Sequence, residues 1–189
     1  MKAVRGTAAA LLVLLAVPGC SGATPASTPV RTSPVSVPAT TSSGATDAAW
    51  LQLMTPMNEG AVELLTMAAD RATDPGLRSW ATGLAAAHCA ELDRMRPLLK
   101  HLGLPATNVH EGHEMPGMVT PGDLARARAA KGAAFEKVVV VQIREHLEHS
   151  ARVSRSEVDA GSEAAAKKLA ASLVEARAAE LAALKRVAT

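Results

Sequence analysis

The strongest constraint on this chain is a spacing. In four long stretches apolar residues return every three or four positions, the period of a helix that buries one face. Trp50, Met54, Met57, Ala61, Leu64, Leu65 and Ala68 form the first stripe, from Asp47 to about Asp70. The second carries Leu77, Trp80, Leu84, His88, Glu91, Met95, Leu98 and Leu102 and ends at Gly103. Asp74 is placed to cap it, with Pro75 at its first position. A third helix is expected from about Gly132 through Val153. The fourth, with Ser162 as its cap, carries Leu169, Leu173, Arg177, Glu180, Leu184 and Val187. Thr120-Pro121-Gly122-Asp123 is a capping box opening a short helix to about Lys131. Two Trp, one Phe and no Tyr leave the core to Ala, Leu, Val and Met, which disfavours a sandwich or barrel. The expectation is all-α: an antiparallel four-helix bundle over residues 47–189 with a connecting loop at 103–120.

Ahead of the bundle the character changes twice. Lys2 and Arg5 precede an unbroken apolar run, Ala8 to Ala16, far shorter than the roughly 20 residues that span a bilayer. The run leads to Val17-Pro18-Gly19-Cys20-Ser21, which resembles the lipobox of bacterial lipoproteins; residues 1–19 are then a signal peptide and Cys20 the acylated new terminus. Residues 20–46 read as a tether, since 16 of the 26 residues from Ser21 to Thr46 are Ser, Thr or Pro. The expected location is the extracytoplasmic face of the cell membrane, held by lipid. With the signal removed, 18 Lys and Arg remain against 18 Asp and Glu, and no basic block marks a nucleic-acid partner.

The bundle contains an internal repeat. An offset of 89 residues places Leu84-Ala-Ala-Ala-His88-Cys-Ala-Glu91-Leu92 on Leu173-Val-Glu-Ala-Arg177-Ala-Ala-Glu180-Leu181, and Met57 on His146. One helical hairpin has been duplicated. Glu91 and Glu180 fall on stripes that face the core, where an unpaired carboxylate costs several kcal/mol. His88 and Arg177 each stand three residues before one of them, which predicts a polar layer of His88, Glu91, Arg177 and Glu180, with each helix satisfying its own Glu or with pairs formed across the bundle, including His146.

Met115-Pro116-Gly117-Met118, followed by Thr120-Pro121-Gly122-Asp123-Leu124 and Gly132-Ala-Ala-Phe135-Glu136, is similar to the linker of the bacterial "domain of unknown function 305" family. Glu91-Leu92 with Met95, and Glu180-Leu181 with Leu184, match that family's second motif. The resemblance implies an exported, ferritin-like bundle of two duplicated hairpins, associated with copper. The first repeat reads Met54-Thr55-Pro56-Met57-Asn58-Glu59 where the family has paired His; the second keeps His146, with His149 one turn on.

No Glu in the chain is followed three residues later by His, so the carboxylate di-iron pattern is absent and no enzyme is expected. Soft-metal ligands are better represented. The loop His110-Glu-Gly-His113-Glu-Met115-Pro-Gly-Met118 holds two His and two Met within nine residues, with Pro116-Gly117 as a bend. His146, His149 and Met57 are further candidates for a copper ion. Cys89, the only thiol besides Cys20, is expected to be a small apolar filler. The function expected is non-enzymatic metal binding, copper first, in storage or tolerance. The alternative is an interaction or envelope-scaffold lipoprotein, with a protein partner, that has lost the metal site.

Anchoring is directly testable. Cys20→Ser should move the protein from the membrane fraction to the soluble one, because each buried methylene of the acyl chains is worth about 0.8 kcal/mol. An unchanged membrane fraction would contradict it.

Overall fold

A computed structural model of the protein describes residues 44–187. The signal peptide, Cys20 and nearly all of the tether lie outside the described residues. Five helices follow in order: α1 (Ala45–Arg71), α2 (Pro75–His101), α3 (Pro121–Ala129), α4 (Gly132–Ala160) and α5 (Ala164–Val187). Helix α1 thus begins two residues before the bundle was expected to start at Asp47. Asp74 caps α2, its Oδ1 accepting from Leu77 N–H at 2.6 Å, and Thr120 with Asp123 closes the capping box of α3.

Helices α1 and α2 form one hairpin and α4 and α5 the other; α1 packs on α4, and α2 on α5. Contacts such as Trp50 with Ser154 and Glu91 with Arg177 make both pairings between hairpins antiparallel. Helices α2 and α4 therefore run the same way. The segment joining them, here called the strap, must return along a 27-residue helix, about 40 Å at 1.5 Å per residue. That single long crossover is the ferritin-like connection. The strap lies against α1 at Gly60, where a Cβ would meet the Val119 carbonyl at 2.6 Å. It lies against α4 at Gly117, where a Cβ would collide with His149.

The apolar interior falls into two clusters. One gathers Leu64, Leu65, Phe135, Val139, Ile143 and Leu184; the other gathers Trp50, Leu51, Met54, Met57, Leu99 and Leu169. Polar residues divide them.

The repeat is visible in the ends of the elements and in two reciprocal contacts. Displaced by 89 residues, Arg71 falls on Ala160 and Pro75 on Ala164, where α4 ends and α5 begins. Asp47 of α1 reaches across to the turn of the other hairpin, accepting from Ser162 N–H (3.0 Å), Ser162 Oγ (2.8 Å) and Glu163 N–H (2.8 Å). Glu136 of α4 does the same at the α1–α2 turn, accepting from Thr73 N–H (2.7 Å), Thr73 Oγ1 (2.7 Å) and Asp74 N–H (3.0 Å). Each of these residues has its counterpart 89 positions away.

Three expectations are corrected here. Helix α4 continues to Ala160 rather than ending near Val153, because its last inward positions, Ser154 and Glu157, are polar and interrupt the apolar stripe while remaining buried. Ser162 does not cap α5: its hydroxyl is given to Asp47, and the Glu163 carbonyl accepts the first helical bond, from Lys167 N–H. Cys89 is exposed rather than a core filler, since it follows inward-facing His88 and so turns outward.

Asp47 and buried Glu157 are neighbouring carboxyls with different fates. Burial pushes Asp47 up, but hydrogen bonds from the 162–163 turn outweigh it and hold its carboxyl at about 2. Burial, then the adjacent Asp47 carboxylate, raise Glu157 to about 8. Glu157 binds its proton more tightly folded than unfolded, so its contribution is complete below about 4.5 and is lost as pH rises through about 8. Stability should therefore fall between pH 6.5 and 8.5, and Glu157→Gln should flatten that slope. Urea midpoints of the two proteins across this range check it; parallel pH profiles would contradict it.

Candidate metal centre in the polar core layer

Between the two apolar clusters, seven polar side chains from the four long helices converge. They are Asn58 of α1, His88 and Glu91 of α2, His146 and Ser150 of α4, and Arg177 and Glu180 of α5. Six are buried; Glu180 is half-buried.

One half of this layer is saturated. The Arg177 guanidinium, wholly buried, donates through Nη1 and Nη2 to the two oxygens of Glu91 at 2.9 and 2.5 Å. Nη1 also reaches Glu180 Oε2 at 2.9 Å, Nε reaches Ser150 Oγ at 2.9 Å, and Nη2 reaches Asn58 Oδ1 at 3.3 Å. Asn58 Nδ2 in turn donates to Glu91 Oε2 at 2.7 Å. Such a planar fork on a carboxylate fixes orientation as well as energy. Burial works against the cation, but Glu91 first and Glu180 second outweigh it and raise the pKa of Arg177. Ser150 accepts from Arg177 and donates to the Leu147 carbonyl at 3.3 Å, so no base stands beside it to make it a nucleophile.

The other half is open. His146 Nδ1 lies 3.2 Å from the Gly117 carbonyl. A carbonyl only accepts, so Nδ1 carries the proton and Nε2 keeps a lone pair. Burial first, then the nearby His88 and Arg177, hold the His146 pKa well below the usual histidine value, and the ring is neutral at pH 7. Its Nε2 has no hydrogen-bond partner among the described residues, nor has either ring nitrogen of His88. The two rings stand 5.2 Å apart, centroid to centroid. His88 Nε2 is 3.6 Å from Glu180 Oε2, beyond hydrogen-bond length. Burial pushes the Glu180 carboxyl up, but His88 and Arg177 outweigh it and lower its pKa. His88, Glu91 and Glu180 each present one ligand atom within 4.8 Å of the others.

The four residues predicted for the polar layer do meet, and Arg177 pairs both within its own helix and across the bundle. Arg177 serves Glu180 on its own helix and also Glu91 across the bundle, which leaves His88 facing Glu180 rather than Glu91. The residues predicted as metal ligands are divided. His146 turns inward, whereas His149, half-buried, stands with Nε2 2.6 Å from Arg152 Nη2. Three residues on a helix span most of a turn but not a whole one, and here the buried face ends between them. Met57 and Met118 are buried in the second apolar cluster, with Met115 packed against it; His110 and His113 belong to the strap. Asn58 and Ser150 were not foreseen. Asn58 sits four residues after Met54 on the buried stripe, a polar interruption of the kind that marked Glu91.

Fold and layer together define a class: a crossover four-helix bundle with an ionisable centre. Within it the chain belongs to the family described as "Domain of unknown function (DUF305)", which it matches over residues 45–188. It is similar to the crystal structure of a DUF305 protein from Streptomyces coelicolor, designated as secreted, at 23% identity and a TM-score of 0.65, covering 74% of this chain and 89% of that one. It is also similar to a DUF305 fragment from Deinococcus radiodurans, at 17% identity and a TM-score of 0.66, covering 75% and 94%. No curated protein matches the chain.

Removing Arg177 would strand Glu91 in the interior. Arg177→Met should destabilise the protein by about 3–5 kcal/mol, the cost of breaking a buried pair. Arg96→Ala, whose partners Glu59 and Asp93 are exposed, should stay within about 0.5 kcal/mol. Equal losses in the two variants, read from denaturant midpoints, would contradict the layer's role.

Proposed function

We propose that this protein binds a single Cu(I) ion, without catalysis, in the open half of the polar layer, and serves copper storage or tolerance in the cell envelope. One observation carries the reading. His146 is buried and neutral, donates Nδ1–H to a backbone carbonyl, and keeps an unpartnered, buried Nε2 on a ring 5.2 Å from that of His88. Metal-binding histidines are oriented in this way, the outer hydrogen bond fixing the tautomer and raising ligand basicity. His88 would be the second ligand and Glu180 a third at the edge. Imidazole suits copper.

The envelope location rests on the signal-like first nineteen residues and on Cys20, read as a lipid-bearing terminus. The Streptomyces relative's designation as secreted agrees with it. No described helix is long and apolar enough to cross a membrane.

Competition between the full chain and a chromogenic Cu(I) chelator, under anaerobic reducing conditions, tests the proposal. The parent should retain tightly bound Cu(I). His146→Ala should weaken that affinity by about a hundredfold or more, since losing even an outer-shell partner costs 10–100-fold. An affinity unchanged in His146→Ala would remove the layer as the site. A parent that retains no Cu(I) would leave the bundle as an envelope scaffold.

A further inference from the structure

The strap carries ligand chemistry that the buried centre does not use. Two turns shape it. His113 N–H donates to the His110 carbonyl at 2.9 Å, closing one turn. Met118 N–H donates to the Met115 carbonyl at 3.0 Å, closing a second around Pro116-Gly117, with Gly117 at φ 77°. Proline followed by a residue at positive φ is the type II arrangement. Between the turns, α3 and α4 lies a cleft of about 810 Å³, lined by His110, His113 and Met115 and by the carboxyls of Glu111, Glu114 and Glu145. Arg126 is its only Lys or Arg among the described residues, and Arg126 is already paired with Asp123, which also lines it. Glu111, Glu114 and Glu145 are exposed and His110 and Met115 half-buried, so the cleft is open to solvent and acidic.

We infer that this cleft is a second, outer cation site, taking Cu(I) through His110, His113 and the Met115 thioether. The division of labour follows from ligand softness. Imidazole and thioether suit Cu(I), while the carboxylates are poor ligands for it but raise the local concentration of cations. The site is distinct from the buried one and close to it. The Gly117 peptide that lines the cleft is the one whose carbonyl accepts from His146 Nδ1–H, so a single peptide stands between them. Gly117 can take this place because it lacks a Cβ: one would collide with His149 and lie 3.0 Å from the Glu145 carbonyl. Met118 is buried beyond it and belongs to the core rather than to the ligand set. This inference extends the copper reading above but rests on different residues, so the two stand or fall separately.

Stoichiometric titration of the full chain with Cu(I), under anaerobic reducing conditions, reads both sites. The parent should bind two ions, the outer one more weakly because the strap is exposed to water. His110→Ala with His113→Ala should weaken the second ion by at least about tenfold, the lower bound for loss of even an outer-shell partner. The tight ion should keep its affinity. His146→Ala should do the reverse. Mg²⁺ in large excess should not displace the outer ion. A parent that binds one ion, lost only in His146→Ala, would overturn the outer site and leave the buried one standing. One ion lost only in the double variant would support the cleft and remove the buried site. Displacement of the outer ion by Mg²⁺ would show that the acidic rim alone holds it, and would overturn the ligand assignment. Both His110 and His113 lie on the strap rather than in the core, so circular dichroism of the double variant should match the parent.

Discussion

A wholly buried guanidinium sits at the centre of this bundle, and the arrangement of the four helices follows from its needs. Arg177 can be buried only if every donor finds an acceptor, and it finds them on α1, α2, α4 and its own α5. A slip of any helix by one residue would turn one of those acceptors away and leave charge uncompensated, at a cost of several kcal/mol. Apolar packing alone is tolerant of such slips, and in an Ala- and Leu-rich interior with one Phe it would be especially so. The layer thus selects one register among many that bury similar apolar area. That selection also decides which groups are left over: with Arg177 holding Glu91, Asn58 and Ser150, the two imidazoles and one edge of Glu180 are what remains free.

Much of the scaffold was legible in the sequence because it rests on local rules. Asp74-Pro75, the Thr120–Asp123 box and the Pro116-Gly117 bend depend on a few neighbouring residues, and each is found where those residues place it. The inward direction of Glu91 and Glu180 was legible too, since helical period alone fixes it. What could not be read was pairing. Spacing within α2 put His88 beside Glu91 and left pairs across the bundle equally open; the partner that wins is Arg177, three helices further along the chain, because its fork can take both carboxylate oxygens at once. For the same reason Ser162 looked like a cap: its chemistry is right, and only the approach of Asp47 from the other hairpin redirects it.

Two further signals were present but needed the fold to give them meaning. Asp47 and Glu136 share the 89-residue offset, as do Thr73 and Ser162, and Asp74 and Glu163. In sequence these are common residues near helix ends. In space each carboxylate satisfies the turn of the opposite hairpin, and the repetition of that contact is stronger evidence of duplication than the matched Ala and Leu. The strap escaped the repeat altogether. It gives His146 its carbonyl while Met57, the equivalent residue, packs into the apolar cluster, and so makes two halves of common origin chemically unlike.

The reciprocal carboxylates bear on ancestry. A lone hairpin of this kind would leave the amides of its own turn bare while its carboxylate projected with nothing to hold. Two identical hairpins, each closing the turn of the other, would satisfy both needs at once. The present chain has the form of such a two-fold dimer whose subunits became joined end to end. On that view the strap is the seam of the fusion, the one stretch among the described residues with no ancestral counterpart, and therefore the stretch most free to acquire chemistry of its own.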